Sequence, residues 1–577
     1  MKANQNIALF LILSVGIALR VYFVFNYELI DAKEHVVALS DEATVGLMAK
    51  HIASGTNFPI FFYGQNYLGA FEAYVAALLF AAFGVSLFTL KLVPGIFSVV
   101  LLFVVYFLAK RMFNARVAIL STALVAIPSA FFFSWALKAR GGFIEHVNLS
   151  LLILLVFSSI WFDGKNSLWL YALLGFLSGF ALWVNQLIVP YLAILGILLW
   201  LKRGVLLNKA KLVVLLLPFL VGALPLIVGN IVEPLGTVKI LTSKAKGRIS
   251  VSDNQSNIEK GMEVLVARLK ELPLKTGRNL AILFGKGENW IGESEIPETS
   301  RIDNLPEIRW LFWFIPFFFA IPFVAHCHRS IGARGTPFGK GKLAAWMKGV
   351  DRVDLLILLF FVSLLGFFSP SYFLLCYPLA AILAAVFLDN LKGNTSRIVY
   401  TSLLVLTLSL NAYGIFDLAF NRRDSSILKL INALEAKGCS YGYSSGPMYQ
   451  VAFYSLERTV LIPLDSKNRY HRYGLQVRET SDICYVFRPD QERKIDHRAF
   501  LTMLQRENIR YHQTTVNSDT MYHIYYALTP REKIPPNVRE KLKLIRRDLR
   551  SVNVPSQIGR SGAVQETLPA GKVSHWV

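Results

Sequence analysis

Ser40, Asp41 and Glu42 stand side by side at the head of the stretch S-D-E-A-T-V-G-L-M-A-K-H-I-A-S-G, residues 40–55. Ser40 is a favourable helix N-cap, so both acids are expected in a first turn, with Gly55 as the stop. There the free backbone N–H groups and the helix dipole favour ionised carboxylates. An ionised carboxylate can take a proton from a hydroxyl or amine as general base, or it can ligate a divalent cation. Acids are also ordinary first-turn residues, so the pair alone does not establish chemistry. Further polar residues lie close to apolar stretches: Glu72 in F-P-I-F-F-Y-G-Q-N-Y-L-G-A-F-E-A-Y (58–74), and Lys138, Arg140, Glu145 and His146 in W-A-L-K-A-R-G-G-F-I-E-H (135–146). Gly141 and Gly142 would let the backbone approach a ligand closely. Lys138 and Arg140 suit an anion or, equally, snorkelling to lipid headgroups. Arg20 sits inside an apolar run, which marks it for function with an acidic partner (Asp41, Glu42 or a bound phosphate) or for snorkelling.

The elements that must position these residues are membrane helices. Of the 577 residues, 54% are hydrophobic and only 17% charged, against about 25% charged in soluble domains. The runs 95–109 and 212–229 carry no charge, and roughly 20 such residues cross a bilayer as a helix. Eleven candidate spans follow: 7–25, 86–109, 117–134, 148–162, 168–184, 187–201, 212–231, 309–326, 353–369, 371–388 and 398–418. The stretch 66–83 fits a helix lying at the interface. Leaving it out of the crossings puts the basic loops on one side, with Lys110, Arg111, Arg116, Lys202, Arg203, Lys209, Lys211, Arg329, Arg334 and Lys340 among them. By the positive-inside rule that side is cytoplasmic, so the Asp41–Glu42 loop and the C-terminal region face outward. The first span reads as an uncleaved signal anchor.

The net charge of +22 is spread through these loops and forms no single basic patch, which argues against nucleic acid as a partner. No GxxxxGK[ST] loop or CxxC pair occurs, so no ATP-driven pump or thiolate metal site is indicated. Residues 1–419 are expected to form the membrane domain, with outer loops 26–85 and 232–308; 420–547 read as a small soluble α/β domain and 548–577 as a disordered tail. Cys439 and Cys484 both fall in the C-terminal region and can pair if that region is extracytoplasmic. Its aromatic run Y-G-Y-S-S-G-P-M-Y (441–449) suits strand packing or sugar stacking.

An acidic pair opening a helix just beyond the first span, an interfacial helix ending F-G-V-S, and the basic turn K-R-M-F-N-A-R (110–116) follow in order. This order resembles the GT-C glycosyltransferases, in particular the group of protein O-mannosyltransferases and the lipid A aminoarabinose transferase. The resemblance covers residues 1–230 well and the later spans by general pattern. It implies a polytopic α-helical fold and inverting transfer of a sugar from a polyprenyl-phosphate donor to a lipid, glycan or protein acceptor at the outer face of a bacterial inner membrane. Asp41 would be the catalytic base, with Glu42 assisting the acceptor or a divalent cation. Arg20, Tyr67, Glu72, Lys138, Arg140, Glu145 and His146 would line the substrate site. The chain departs from the family where several relatives carry a Lys, here Gln65 and Asn66, and where many carry Arg-Tyr, here Ser371-Tyr372. Lys239, Lys244, Lys246 and Arg248 are candidate substitutes for phosphate contact. A transporter or lipid-oligosaccharide flippase is the alternative, disfavoured because the polar residues crowd the rim and leave mid-span positions nearly free of charge.

Overall fold

The computed structural model describes residues 2–27, 39–201, 208–233, 276–284, 314–334, 349–364, 370–418, 426–464, 468–480, 483–487, 497–506, 508, 511–516, 522–527 and 564–567. The chain divides into two compact units, Met1–Ile30 with Phe58–Asn421, and Asp31–Asn57 with Arg422–Val577.

The first unit is helical. Among the described residues, four of its helices are long and apolar enough to cross a membrane: Asn4–Phe25, Leu87–Met112, Phe143–Trp161 and Asn394–Leu418. Lys209–Gly222 and Leu224–Val232 form a fifth if the 55° bend between them lies within one span. The other expected spans fall on shorter helices, including Leu168–Val184, Val189–Leu201, Arg352–Ser363 and Cys376–Asp389. The expected span 117–134 is broken into Ala115–Ala126 and Ala130–Trp135. Pro128 disfavours helical backbone at Ile127, and Ser129 caps the next helix by accepting from the Phe132 N–H at 3.3 Å. Caps set other starts: Ser86 accepts from Thr89 N–H, Asn114 from Val117 N–H, and Asp351 and Asp354 form a reciprocal capping box.

The segment 66–83 splits between two elements. Strands β1 (Phe61–Phe62) and β2 (Gln65–Gly69) make an antiparallel hairpin, and helix Phe71–Phe83 follows, burying Glu72, Ala73, Ala76, Ala77 and Phe80. The hairpin is tied to the end of helix Leu168–Val184, where Trp183 Nε1 donates to Ile60 O at 3.0 Å and Leu68 bridges Asn185.

Among the described residues, the second unit holds a six-stranded sheet in the order β4-β3-β5-β7-β6-β8. Strands β3 (Tyr441–Ser444), β4 (Val460–Pro463) and β5 (Ile483–Phe487) are parallel; β7 (Tyr522–Ala527) runs antiparallel between β5 and β6 (Tyr511–Val516). Strand β8 (Val564–Thr567), within the tail expected to be disordered, pairs parallel with β6. A disulfide joins Cys439, just before β3, to Cys484 in β5. Tyr443 stacks on Tyr485 at 5.5 Å, so this part of the aromatic run serves strand packing.

Helix Leu39–Ala53 groups with this sheet, although its loop was assigned to the membrane domain from sequence. Gly46 makes that grouping: a Cβ there would lie 2.4 Å from the Phe453 ring. Only hydrogen lets helix Tyr449–Tyr454 approach so closely.

Candidate functional site

In the second unit, the helix begins at Leu39, two residues earlier than the Ser40 cap requires. Ser40 is therefore inside the first turn, buried, and its hydroxyl makes no cap bond. Asp41 and Glu42 still fall in that first turn. Glu42 is 1% exposed, whereas the Asp41 side chain is 31% exposed. Arg469 Nη1 donates to Asp41 Oδ1 at 2.5 Å and lies 3.5 Å from Thr44 Oγ1. Thr44 in turn donates to Ser40 O at 2.8 Å.

The other end of the same helix is held by Glu457. Lys50 Nζ reaches Glu457 Oε2 at 2.5 Å, while His51 Nε2 and the Tyr473 hydroxyl reach Oε1 at 2.9 and 2.7 Å. Burial pushes the Glu457 carboxyl up, but hydrogen bonds from His51, Lys50 and Tyr473, with the charge of His51, outweigh it and hold the group at about 2. Leu456 and Glu457 adopt φ of 52° and 67°, left-handed backbone that ordinary side chains rarely accept. His51 also stacks on Tyr470 with ring centres 4.6 Å apart.

In the first unit, Glu72 Oε2 accepts from the N–H groups of Gly141 and Gly142 at 2.6 and 2.9 Å. Gly142 caps helix Phe143–Trp161 in left-handed conformation, so the Glu72 carboxylate neutralises a helix N-terminus. Gly141 has φ 93° and Gly142 φ 83°; a Cβ on either would press on Leu68, Phe62 or Val184 at 3.0–3.2 Å. The two glycines thus bring backbone up to a protein carboxylate and the hairpin, where sequence had them facing a ligand. The adjoining Arg140 guanidinium lies 4.5 Å from the Trp135 ring centre, and the buried Lys138 ammonium 5.7 Å; both are favourable cation–π distances. Tyr67, on β2, donates its hydroxyl to Gln65.

Glu145 and His146 lie in the first turns of helix Phe143–Trp161, 1% and 5% exposed. Neither Glu145 carboxylate oxygen nor His146 Nδ1 has a hydrogen-bond partner among the described residues. Among those residues no group of three His, Cys, Asp or Glu side chains could hold a metal. Lys239, Lys244, Lys246 and Arg248 lie outside the described residues.

Among the described residues Arg20 pairs with no acid, and its burial leaves no snorkelling. It is 1% exposed, and its guanidinium donates to Gly16 O, Ser98 O, Ser98 Oγ, Val125 O and Ala126 O at 2.8–3.1 Å. Val125 and Ala126 end helix Ala115–Ala126, where carbonyls lack helical partners. The guanidinium is thus engaged by four backbone oxygens and the Ser98 hydroxyl, a use with no sequence signature. Sequence also missed Arg469 and Glu457, which meet the first-loop helix from more than 400 positions away.

The family model for dolichyl-phosphate-mannose-protein mannosyltransferases matches residues 70–228. None of the curated proteins matches the chain. Among solved structures, ArnT from Cupriavidus metallidurans bound to undecaprenyl phosphate is similar at TM-score 0.52 and 12% identity, over 90% of this chain and 99% of that one. The archaeal oligosaccharyltransferase AglB from Archaeoglobus fulgidus, in complex with an inhibitory peptide and a dolichol-phosphate, aligns at TM-score 0.49 and 14% identity, over 93% of this chain and 75% of that one. The apolar helices and the fold shared with ArnT describe an integral membrane protein. With the family-model match, they place this chain in resemblance to the GT-C membrane glycosyltransferases of the ArnT and PMT kind.

Proposed function

We propose that this protein transfers a sugar from a polyprenyl-phosphate donor to a hydroxyl or amine acceptor at the outer face of the membrane, with Asp41 as general base. Asp41 takes the acceptor proton; the acceptor atom bonds to the anomeric carbon from the face opposite the leaving group. The bond from that carbon to the phosphate oxygen breaks, its electron pair leaves with polyprenyl phosphate, and the anomeric configuration inverts. The observation that carries this assignment is the state of Asp41, a part-exposed first-turn carboxylate with a guanidinium at 2.5 Å, which favours the ionised form a base needs. The mannosyltransferase family match and the undecaprenyl phosphate on the similar ArnT structure support the donor class. Lys138 and Arg140 are proposed to steady charge on the departing phosphate, which develops as the bond breaks. Glu42, Tyr67, Glu72, Glu145 and His146 are retained as proposed substrate-site residues; no step is routed through a divalent cation.

The basic loops support an outward-facing Asp41, and the Cys439–Cys484 disulfide supports an oxidising, extracytoplasmic setting for the second unit, as in a bacterial inner-membrane protein. The test supplies sugar-labelled polyprenyl-phosphate donors and a membrane extract of acceptors to the wild type and to Asp41→Asn. Loss of transfer by about 10²–10⁴-fold is expected in a correctly inserted variant. Full activity in Asp41→Asn removes Asp41 from the mechanism. Labelled lipid crossing sealed vesicles without transfer to any acceptor supports the flippase instead.

A further inference from the structure

The pairing of Asp41 with Arg469 is built more firmly than a chance surface contact. Arg469 follows Asn468, which donates to Tyr470 O at 2.6 Å and accepts from the Tyr449 hydroxyl at 3.2 Å. The Arg469 backbone N–H donates to that same Tyr449 oxygen at 2.6 Å, and the guanidinium lies 5.7 Å from the Tyr449 ring centre. Residues 468–470 therefore wrap one tyrosine, which fixes where the arginine side chain starts and which way it runs. From there Nη1 reaches Asp41 Oδ1 and Thr44 Oγ1, one turn apart on the same helix. At the far end of that helix, Tyr470 stacks on His51 and Glu457 takes Lys50 and His51. Helix Leu39–Ala53 is thus gripped at both ends and at Gly46 in its middle, all by residues 449–473 of the same unit.

We infer that Arg469 is a positioning residue for the acceptor-activating carboxylate: it fixes the orientation of Asp41 and holds it ionised. The inference rests on the assignment of Asp41 as general base. Among the described residues of this unit, Asp41 has Glu42 beside it in the helix and Arg469, itself set against the Tyr449 ring, from the C-terminal part. Arg469 places a cation 2.5 Å from the Asp41 carboxylate, so its removal takes that charge away while the neighbouring acid stays. A carboxylate deprived of its cation binds a proton more readily.

The test measures kcat/KM against pH for the wild type, Arg469→Ala, Arg469→Lys and Asp41→Asn. The substrate is whichever sugar-labelled polyprenyl phosphate the wild type turns over, and thermal melts in detergent report folding. In Arg469→Ala the rate is expected to fall on the order of 10²-fold, and the rising acid limb of the profile to move up by about one pH unit. Arg469→Lys should return the limb towards its original position and recover part of the rate, since it restores charge without the guanidinium's geometry. An Arg469→Ala protein with a wild-type melt and an unmoved limb overturns the inference, whatever its rate. If Arg469→Ala melts early, Arg469→Lys decides: a folded lysine variant with an unmoved limb and wild-type rate shows that guanidinium geometry is dispensable and overturns it. Transfer that survives in Asp41→Asn, or a wild type that turns over no donor, removes the base assignment itself and the inference with it. Loss in Asp41→Asn beside an unmoved limb in Arg469→Ala leaves the base standing and removes only the role of Arg469.

Discussion

Three donors converge on the carboxylate of Glu457, and that side chain is 24% exposed. Its folded value of about 2 is below the ordinary glutamate value of about 4.3. A depressed carboxyl adds stability that is fully present above the unfolded value and is lost as pH falls through the folded one. Glu457→Gln is therefore expected to destabilise the second unit by roughly 1–3 kcal/mol at neutral pH. The gap between variant and wild type should close as pH drops from about 4.3 to about 2, which thermal melts of the full chain across that range would show. A gap that is constant with pH would mean that packing, not charge, is what the substitution removes. At this scale the sequence was legible only where chemistry is local. Asp41 stood out because a first-turn acid after a serine can be read from neighbours; Arg469 did not, because its partner lies 428 positions away. The Ser40 cap failed for a small geometric reason, a helix beginning two residues early.

Between helices, Arg20 acts as a staple. From helix Lys2–Phe25 it binds Ser98 in helix Leu87–Met112 and the last carbonyls of helix Ala115–Ala126, with the Phe133 ring 5.6 Å from its guanidinium carbon. Arg20→Leu would leave those buried oxygens without a donor where no water competes, and is expected to cost on the order of 2–4 kcal/mol. Earlier unfolding in detergent, with surface labelling at position 41 unchanged from the wild type, is the expected result; an unchanged melting temperature would contradict the staple. Hydropathy alone could not separate this use from catalysis, because both put a charge inside an apolar run. Helix boundaries were legible where a cap or a proline writes them locally, as at Ser86, Asn114 and Pro128–Ser129. The hairpin β1–β2 was missed, since residues 58–70 carry aromatic content that suits an interfacial helix equally well.

For the molecule as a whole, the long apolar runs were legible because a bilayer imposes a length that composition must meet. The grouping of residues 31–57 with the C-terminal unit was not, because sequence order suggests that a loop belongs with the spans on either side. The disulfide closes a separation of 45 residues in that unit; removing it with Cys439→Ser is expected to cost about 2–4 kcal/mol. Thiol labelling after denaturation should find Cys439 and Cys484 blocked until a reductant is added, and free thiols at both would remove the oxidising setting. The docking of helix Leu39–Ala53 also sets a timetable for the nascent chain. Asp41 leaves the ribosome 428 residues ahead of Arg469, which at 5–20 residues per second is a wait of about 20–90 s. During that interval the segment has no Phe453, Glu457 or Arg469 to settle against. A chain stopped short of residue 449 would keep its membrane helices and its aspartate, but not the partners that hold that aspartate in place, so the order of synthesis leaves Asp41 without them until residues 449–473 have been made.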